Sequence, residues 1–245
     1  MTNKIIHYCW FGRNPLPPLA LKCIESWKKY LPDYEIKEWN EDNFDVNIIP
    51  YTRDAYKEKK YAFVSDYARF WILYHYGGVY FDTDVEVVKN LDDILAKGPF
   101  MGCESDGSDD TDITVAPGLG ISANPGLGIY KELLDLYHNT AFYKEDGSLN
   151  QVTIVRYTTD ILMKNGLQNI AEIQFVGGIW VYPVEYFCPK DYKTGVLNIT
   201  KNTRSIHHYD ASWHTWKEKV YALLLSFLGR NIATKIKKLA FLIRK

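Results

Sequence analysis

Residues 61–88 read YAFVSDYARFWILYHYGGVYFDTDVEVV, and this stretch decides the fold. Phe63, Tyr67, Phe70, Trp71 and Tyr74 recur at 3.6 residues per turn, which predicts a helix over residues 61–76 with an aromatic stripe set on a sheet. Ala62, Asp66, Arg69 and Leu73 fall on a neighbouring face. Gly77-Gly78 stops the helix, because glycine enters the left-handed region without a Cβ penalty. Val79-Tyr80-Phe81 then reads as a buried strand, Asp82-Thr83-Asp84 interrupts it, and residues 85–88 resume it.

Upstream, residues 4–8 (KIIHY) form a short β-branched run. The punctuated Asn14-Pro15-Leu16-Pro17-Pro18 follows, then helical spacing over residues 19–30 and an alternating segment over residues 34–39. Strand, helix, strand in the opening 40 residues predicts an α/β fold with parallel strands. Downstream, helices are expected over residues 126–137 and 151–165. Short strands are expected over residues 100–103, 173–176, 181–182, 196–199 and 205–208, and residues 105–112 read as an acidic loop.

The chain has 245 residues, a formal net charge of -1, 47% hydrophobic and 24% charged residues. That composition excludes a disordered or collagen-like chain, and the balanced charge gives no whole-body grip on nucleic acid. With 19 Tyr, 11 Phe and 7 Trp, aromatics are abundant. Their flat faces suit sugars and bases, although they also fill cores. The four cysteines, Cys9, Cys23, Cys103 and Cys188, have no metal-finger spacing. Reduced thiols and the lack of a secretory leader predict a cytoplasmic protein. The segment from Lys217 to Lys245 carries six lysines and two arginines against one glutamate, with apolar residues at helical intervals. It reads either as a membrane-surface segment or as a docked terminal helix. The division expected is residues 1–215 as the catalytic domain and 216–245 as the basic amphipathic segment.

The chemistry centres on Asp82 and Asp84. In extended chain these carboxylates lie on one side, about 6–7 Å apart at Cα, so both can converge on one hard divalent cation. An aromatic strand running into two acids is costly unless a cation meets them. A bare DxD is common on solvated turns, and it is the strand before it and the Gly-Gly turn upstream that give it weight.

The string 62–69 (AFVSDYAR) together with 76–84 (YGGVYFDTD) resembles the conserved block of the DXD-containing sugar transferases of glycosyltransferase family 32. That family includes yeast initiating mannosyltransferases and bacterial capsule enzymes, and the clostridial glucosylating toxins share the local pattern. Residues 4–12 (KIIHYCWFG) and Ser26-Trp27 also resemble the family's N-terminal segment, and the likeness thins after about residue 104. It implies a GT-A fold, a Rossmann-like mixed sheet flanked by helices, with the donor at the carboxyl ends of the strands.

By the same resemblance, Trp10 would stack on the nucleobase with Tyr8 beside it, unless Trp10 is a core residue. Asp66 and Arg69 would reach the donor's sugar hydroxyls and phosphate; otherwise they are an intrahelical ion pair. Asp84 would bind Mn²⁺ or Mg²⁺ directly, with Asp82 sharing metal, ribose or sugar contacts. His208 would supply a third ligand, with His207 and Asp210 as rivals and a structural histidine as the plain alternative. Ser212 and Trp213 would close over the diphosphate. Glu104 would meet the acceptor or stand in solvent.

The implied reaction is retaining, metal-dependent transfer of a hexose from a UDP- or GDP-sugar to a glycan or lipid-linked saccharide in polysaccharide synthesis. Its expected seat is the cytoplasm, including the inner membrane face through the basic segment. A metal-dependent phosphohydrolase is a rival, but it usually wants more acids or a nucleophilic Asp where Ile6-His7-Tyr8 stands. A carbohydrate-binding or membrane-scaffolding protein with a transferase-like body is the other.

Overall fold

The computed structural model describes residues 3–108, 111–192 and 194–210. Its elements run β1 (Ile5–Cys9), α1 (Pro18–Tyr30), β2 (Glu35–Trp39), α2 (Pro50–Lys57), α3 (Tyr61–Tyr76), β3 (Gly78–Tyr80), β4 (Val85–Val87), α4 (Asp92–Leu95) and β5 (Phe100–Ser105). They continue with β6 (Thr114–Val115), β7 (Ile121–Ala123), α5 (Gly128–His138), α6 (Ile154–Lys164), β8 (Gln174–Val176), β9 (Ile179–Tyr182), α7 (Val184–Phe187) and β10 (Ser205–His207).

One mixed sheet has the order β2-β1-β3-β7-β5-β9-β8, with β6 paired to β5. β1 lies parallel to both β2 and β3, and β5 lies parallel to β9, while β7 runs antiparallel between β3 and β5. This is the α/β architecture expected. β4 does not resume β3, as the sequence suggested; it leaves the sheet and pairs antiparallel with β10 in a separate ribbon. The strand expected over residues 196–199 is absent, and that segment keeps only a Lys190–Leu197 bridge. Among the described residues, no helix is long and apolar enough to cross a membrane.

Helix α1 begins on Pro18, whose fixed φ suits the first helical position, and buries Ala20, Cys23, Ile24 and Trp27. Helix α3 is covered on more sides than one aromatic stripe allows. Val64, Tyr67, Ala68, Arg69, Phe70, Ile72 and Leu73 are all buried, because α3 packs between the sheet and helices α2 and α5. A helix enclosed this way loses its single apolar face, and the stripe residues Phe63, Trp71 and Tyr74 stay partly exposed.

The exit from α3 sets the position of β3. Gly77 (φ 65°) caps the helix, its N–H bonding the Leu73 carbonyl at 2.9 Å. Gly78 has φ 98°, and a Cβ there would stand 2.7 Å from the Ile5 carbonyl oxygen and 3.0 Å from His7 Nε2. Glycine alone lets β3 lie this close to β1. His7 is sealed in the same seam. The Trp39 indole N–H, which can only donate, gives its proton to His7 Nδ1 at 3.0 Å. The ring's own proton therefore sits on Nε2 and reaches the Gly77 carbonyl at 3.0 Å. Burial pushes the His7 pKa down to about 4, so the ring is neutral.

Candidate active site

β1 and β3 run side by side with Ile6 opposite Val79 and His7 opposite Tyr80. Both carboxyl ends therefore open at one edge, where β1 yields Trp10 and β3 yields Asp82. The Phe81 N–H bonds the His7 carbonyl at 3.1 Å as the last rung. The Val85 N–H then bonds the Asp82 carbonyl at 3.1 Å, closing a turn over Thr83 and Asp84. The extended geometry expected for the acidic pair does not hold. The two carboxylates leave a turn and meet different partners, yet they stay close enough for the charge on Asp84 to disfavour ionisation of Asp82.

Asp82 is clamped. Arg69 Nη2 approaches its Oδ1 at 3.1 Å, and the Tyr80 hydroxyl donates to the same oxygen at 3.0 Å. A Cβ on Gly118 would fall 2.3 Å from Asp82 Oδ2, so this glycine makes room for the carboxylate. Arg69 also pairs with Asp66 at 3.0 Å, and its side chain is only 4% exposed. It packs over the Tyr80 ring, 5.0 Å from the centroid. The i,i+3 pair is present as the plain reading had it, but it is shared with Asp82 and buried at the strand ends. Burial lifts the Asp66 pKa to about 7 despite Arg69, with the charge on Asp82 adding to the rise. Burial also raises Asp82, against Arg69. Two carboxylates thus share one buried guanidinium, an arrangement typical of functional sites.

Asp84 turns to the β4–β10 ribbon. His207 Nε2 stands 3.1 Å from its Oδ1, and the His208 N–H donates to its main-chain carbonyl at 3.0 Å. His207 is thus the imidazole beside the acidic pair. His208, the residue expected to serve the metal, points to Glu86, with Nε2 2.8 Å from Oε2, where Lys22 also binds. The reason is the ribbon. Ile206 faces Glu86, so alternation carries His208 to the Glu86 side, whereas Asp84 lies in the turn before β4 and swings the other way. Burial opposes protonation of His207, but Asp84 and then the charges on Asp82 and Glu104 raise its pKa.

Glu104, the next-to-last residue of β5, accepts from the Tyr209 hydroxyl at 3.4 Å. Cys188 Sγ lies 2.8 Å from the same hydroxyl. Burial pushes the Cys188 thiol up to about 12, so it stays protonated, and either group can donate in this contact. Tyr209 was not singled out in the sequence; its position two residues past His207 was the available signal. Trp10 is partly exposed, its indole N–H held by the Asn14 carbonyl at 2.6 Å. Tyr8, expected near the donor, instead packs on Trp27 in the core and donates to Glu38 at 2.6 Å. Ser212, Trp213 and residues 216–245 lie outside the described residues, and Asp210 is the last residue described.

Among the described residues, no group of three or more His, Cys, Asp or Glu side chains is set to hold a metal. The expected trio of Asp82, Asp84 and His208 is therefore not assembled. The donor chemistry nevertheless fits a divalent ion in part. A carboxylate oxygen and an imidazole nitrogen 3.1 Å apart match neighbouring ligands about 2.1–2.2 Å from one ion. Asp84 and His207 offer two such atoms, and a complete shell would need further oxygens from Asp82 or from a ligand.

Residues 17–101 match the family model described as a glycosyltransferase sugar-binding region containing DXD motif. That stretch is about a third of the chain, and it is what the chain has in common with the family. It includes Asp66, Arg69, Asp82 and Asp84, while Trp10 precedes it and His207 follows it. Inositol phosphoceramide mannosyltransferase 1 of Schizosaccharomyces pombe is 30% identical over 109 residues, 40% of this chain and 33% of that protein. Uncharacterized glycosyltransferase L373 of Acanthamoeba polyphaga mimivirus is 36% identical over 107 residues, 41% of this chain and 43% of that protein. The matched part thus spans less than half the length of these curated relatives. Among solved structures, PaToxG Glycosyltransferase superposes with a TM-score of 0.50 at 20% identity, covering 66% of this chain and 69% of that one. That likeness concerns the fold alone, a mixed α/β sheet flanked by helices of the GT-A kind.

Proposed function

We propose that this chain is a glycosyltransferase that moves a hexosyl group from a nucleoside-diphosphate sugar to a hydroxyl of a saccharide or lipid-linked acceptor, with Mn²⁺ or Mg²⁺ bound by Asp84 and His207. The observation that carries this reading is the joining of two polar clusters at one strand edge, Asp84–His207 and Asp82–Arg69–Asp66. The first fits a cation, and the second offers carboxylate acceptors and a fixed guanidinium to a sugar and its phosphate. When bound, the ion offsets charge developing on the leaving diphosphate.

The chain's own residues then have separable tasks. Arg69, held on two carboxylates, orients without reorganising. Asp66 and Asp82 accept hydroxyl protons from the donor's sugar or ribose, and Trp10 offers a ring face to the base. Transfer with retention follows the family resemblance, the departing phosphate taking the acceptor's proton on the same face. Relatives named for mannosyl transfer to an inositol phosphoceramide support testing mannosyl donors and lipid-borne acceptors first. We further assign the activity to the cytoplasm, residues 1–215 to its catalytic body, and residues 216–245 to the inner membrane face. Flotation of the full chain and of a chain ending at 216 with anionic vesicles tests that assignment; equal binding removes it.

The decisive experiment is release of nucleoside diphosphate from a panel of UDP- and GDP-sugars with Mn²⁺. One donor is expected to be hydrolysed slowly without acceptor, and Asp84→Ala to lower that rate about 100-fold or more. Cleavage of simple phosphomonoesters without nucleotide release would favour a phosphohydrolase. Sugar binding without turnover of any donor would favour a binding module.

A further inference from the structure

His207 faces Asp84 through Nε2, but its other ring nitrogen has no hydrogen-bond partner among the described residues although that atom is buried. Functional imidazoles are normally aimed by a hydrogen bond on the second nitrogen. Here that device is missing, and something else must hold the ring. The group against it is Tyr209. The two ring centroids are 4.2 Å apart at 72°, an edge-to-face contact.

Tyr209 is itself held in an unusual way. Its φ is 56°, a left-handed conformation uncommon for an aromatic residue, which persists where surrounding contacts over-determine it. Its hydroxyl is fastened at both sides, by Cys188 Sγ at 2.8 Å and Glu104 Oε1 at 3.4 Å. Tyr192 lies beyond it, with centroids 6.0 Å apart. The strained backbone turns the ring back over β10, and α7's end and β5's end fix the far tip.

We propose that Tyr209 is a positioning residue that aims the His207 imidazole at Asp84 by ring contact, with the Cys188 and Glu104 tether holding the ring in place. The inference rests on the transferase reading only for what the aimed imidazole then binds. The described contacts of Tyr209 are with His207, Cys188, Glu104 and Tyr192, and the first of these is its route to the site.

The test compares Tyr209→Ala, Tyr209→Phe and His207→Ala with the parent chain by two readouts. The first is ¹⁵N-histidine NMR of the His207 ring without metal, and the second is direct titration with Mn²⁺ followed by its electron paramagnetic resonance. Tyr209→Ala should replace the single set of His207 ring signals by exchange-broadened ones and weaken Mn²⁺ binding about 10–100-fold. Tyr209→Phe, which keeps the ring, should weaken it less than about fivefold. In the His207→Ala background, Tyr209→Ala should add no further loss, because the two act as a unit. Thermal melting of each variant confirms that it folds; if Tyr209→Ala does not, Tyr209→Leu and the Phe variant carry the comparison.

Unchanged ring signals in a folded Tyr209→Ala or Tyr209→Leu chain overturn the proposal, as do losses that add to those of His207→Ala. A parent chain that binds no Mn²⁺ but whose His207 signals broaden in Tyr209→Ala would sink the metal reading and leave the positioning role standing.

Discussion

Replacing Asp66 by asparagine should make the protein more stable at neutral and alkaline pH while disabling its proposed chemistry. Asp66 is almost buried, with 13% of its side chain exposed, and sits 3.0 Å from Arg69. Burial nevertheless lifts its pKa from 3.8 to about 7, Arg69 offsetting only part of that cost and Asp82 adding to it. In the unfolded chain the group titrates near 4. Between about pH 4 and 7 the folded state therefore holds a proton that the unfolded chain has lost. Stability is fully present below pH 4, falls as pH rises through 7, and is flat beyond. Three pKa units at about 1.4 kcal/mol each set a ceiling near 4 kcal/mol, so the loss is on the order of 2–4 kcal/mol.

Asparagine has the shape of the neutral acid and cannot ionise, so it escapes this loss. Arg69 stays neutralised by Asp82 at 3.1 Å. Urea unfolding followed by circular dichroism at pH 4.5, 6, 7 and 8 reads the difference between variant and parent. It should be near zero at pH 4.5 and reach on the order of 2–4 kcal/mol in favour of the variant at pH 8. Donor hydrolysis should meanwhile fall about 100-fold, the pairing of gained stability and lost activity that marks a residue kept for function. A variant less stable than the parent at pH 8, or a difference that does not change with pH, would refute the reasoning.

Three further expectations follow from the geometry. Gly118→Ala places a Cβ 2.3 Å from Asp82 Oδ2, so donor turnover should drop about 10–100-fold with a melting temperature close to the parent's; normal turnover would show that Asp82 need not be clamped. Trp39→Phe leaves His7 Nδ1 without its donor at 3.0 Å and should cost about 1–3 kcal/mol in urea unfolding, whereas an unchanged midpoint would mean that the seam re-forms around water. Gly78→Ala forces an L-residue to φ 98° against the Ile5 carbonyl and should destabilise by about 2 kcal/mol or more; a neutral result would show that β3 can retreat from β1.

Long periodic segments carried the fold. Helix α3 occupies the residues that its spacing marked, and α1, β1 and β2 lie within a residue of their expected limits. What escaped were elements too short to show a period. β7, three residues between Gly120 and Asn124, runs antiparallel in the middle of the sheet, between β3 and β5. α2 was legible in principle, for Pro50 stands at its first position with Tyr51, Thr52 and Ala55 buried behind it. The aromatic stripe of α3 misled because a helix covered from several sides does not choose one face.

The site separates into what residue type dictates and what only the chain path dictates. The proposal that Asp82 and Asp84 carry chemistry follows from charge placed at a strand end. Where each carboxylate points does not, because a turn closed by one hydrogen bond from Val85 to Asp82 replaces the extended geometry. The choice between His207 and His208 is subtler. It depends on a one-residue register between β4 and β10, and a slip of one would exchange the two imidazoles. That register is pinned from outside the site. Arg204, just before β10, accepts the Val88 N–H at 2.8 Å on its carbonyl and anchors its guanidinium on Asp93 at 2.5 Å. The Arg204 N–H reaches the Tyr186 carbonyl at 2.7 Å. The partners of Arg204, namely Val88, Asp93 and Tyr186, thus help fix which histidine meets Asp84, and they lie far along the chain from Ser205-Ile206-His207-His208.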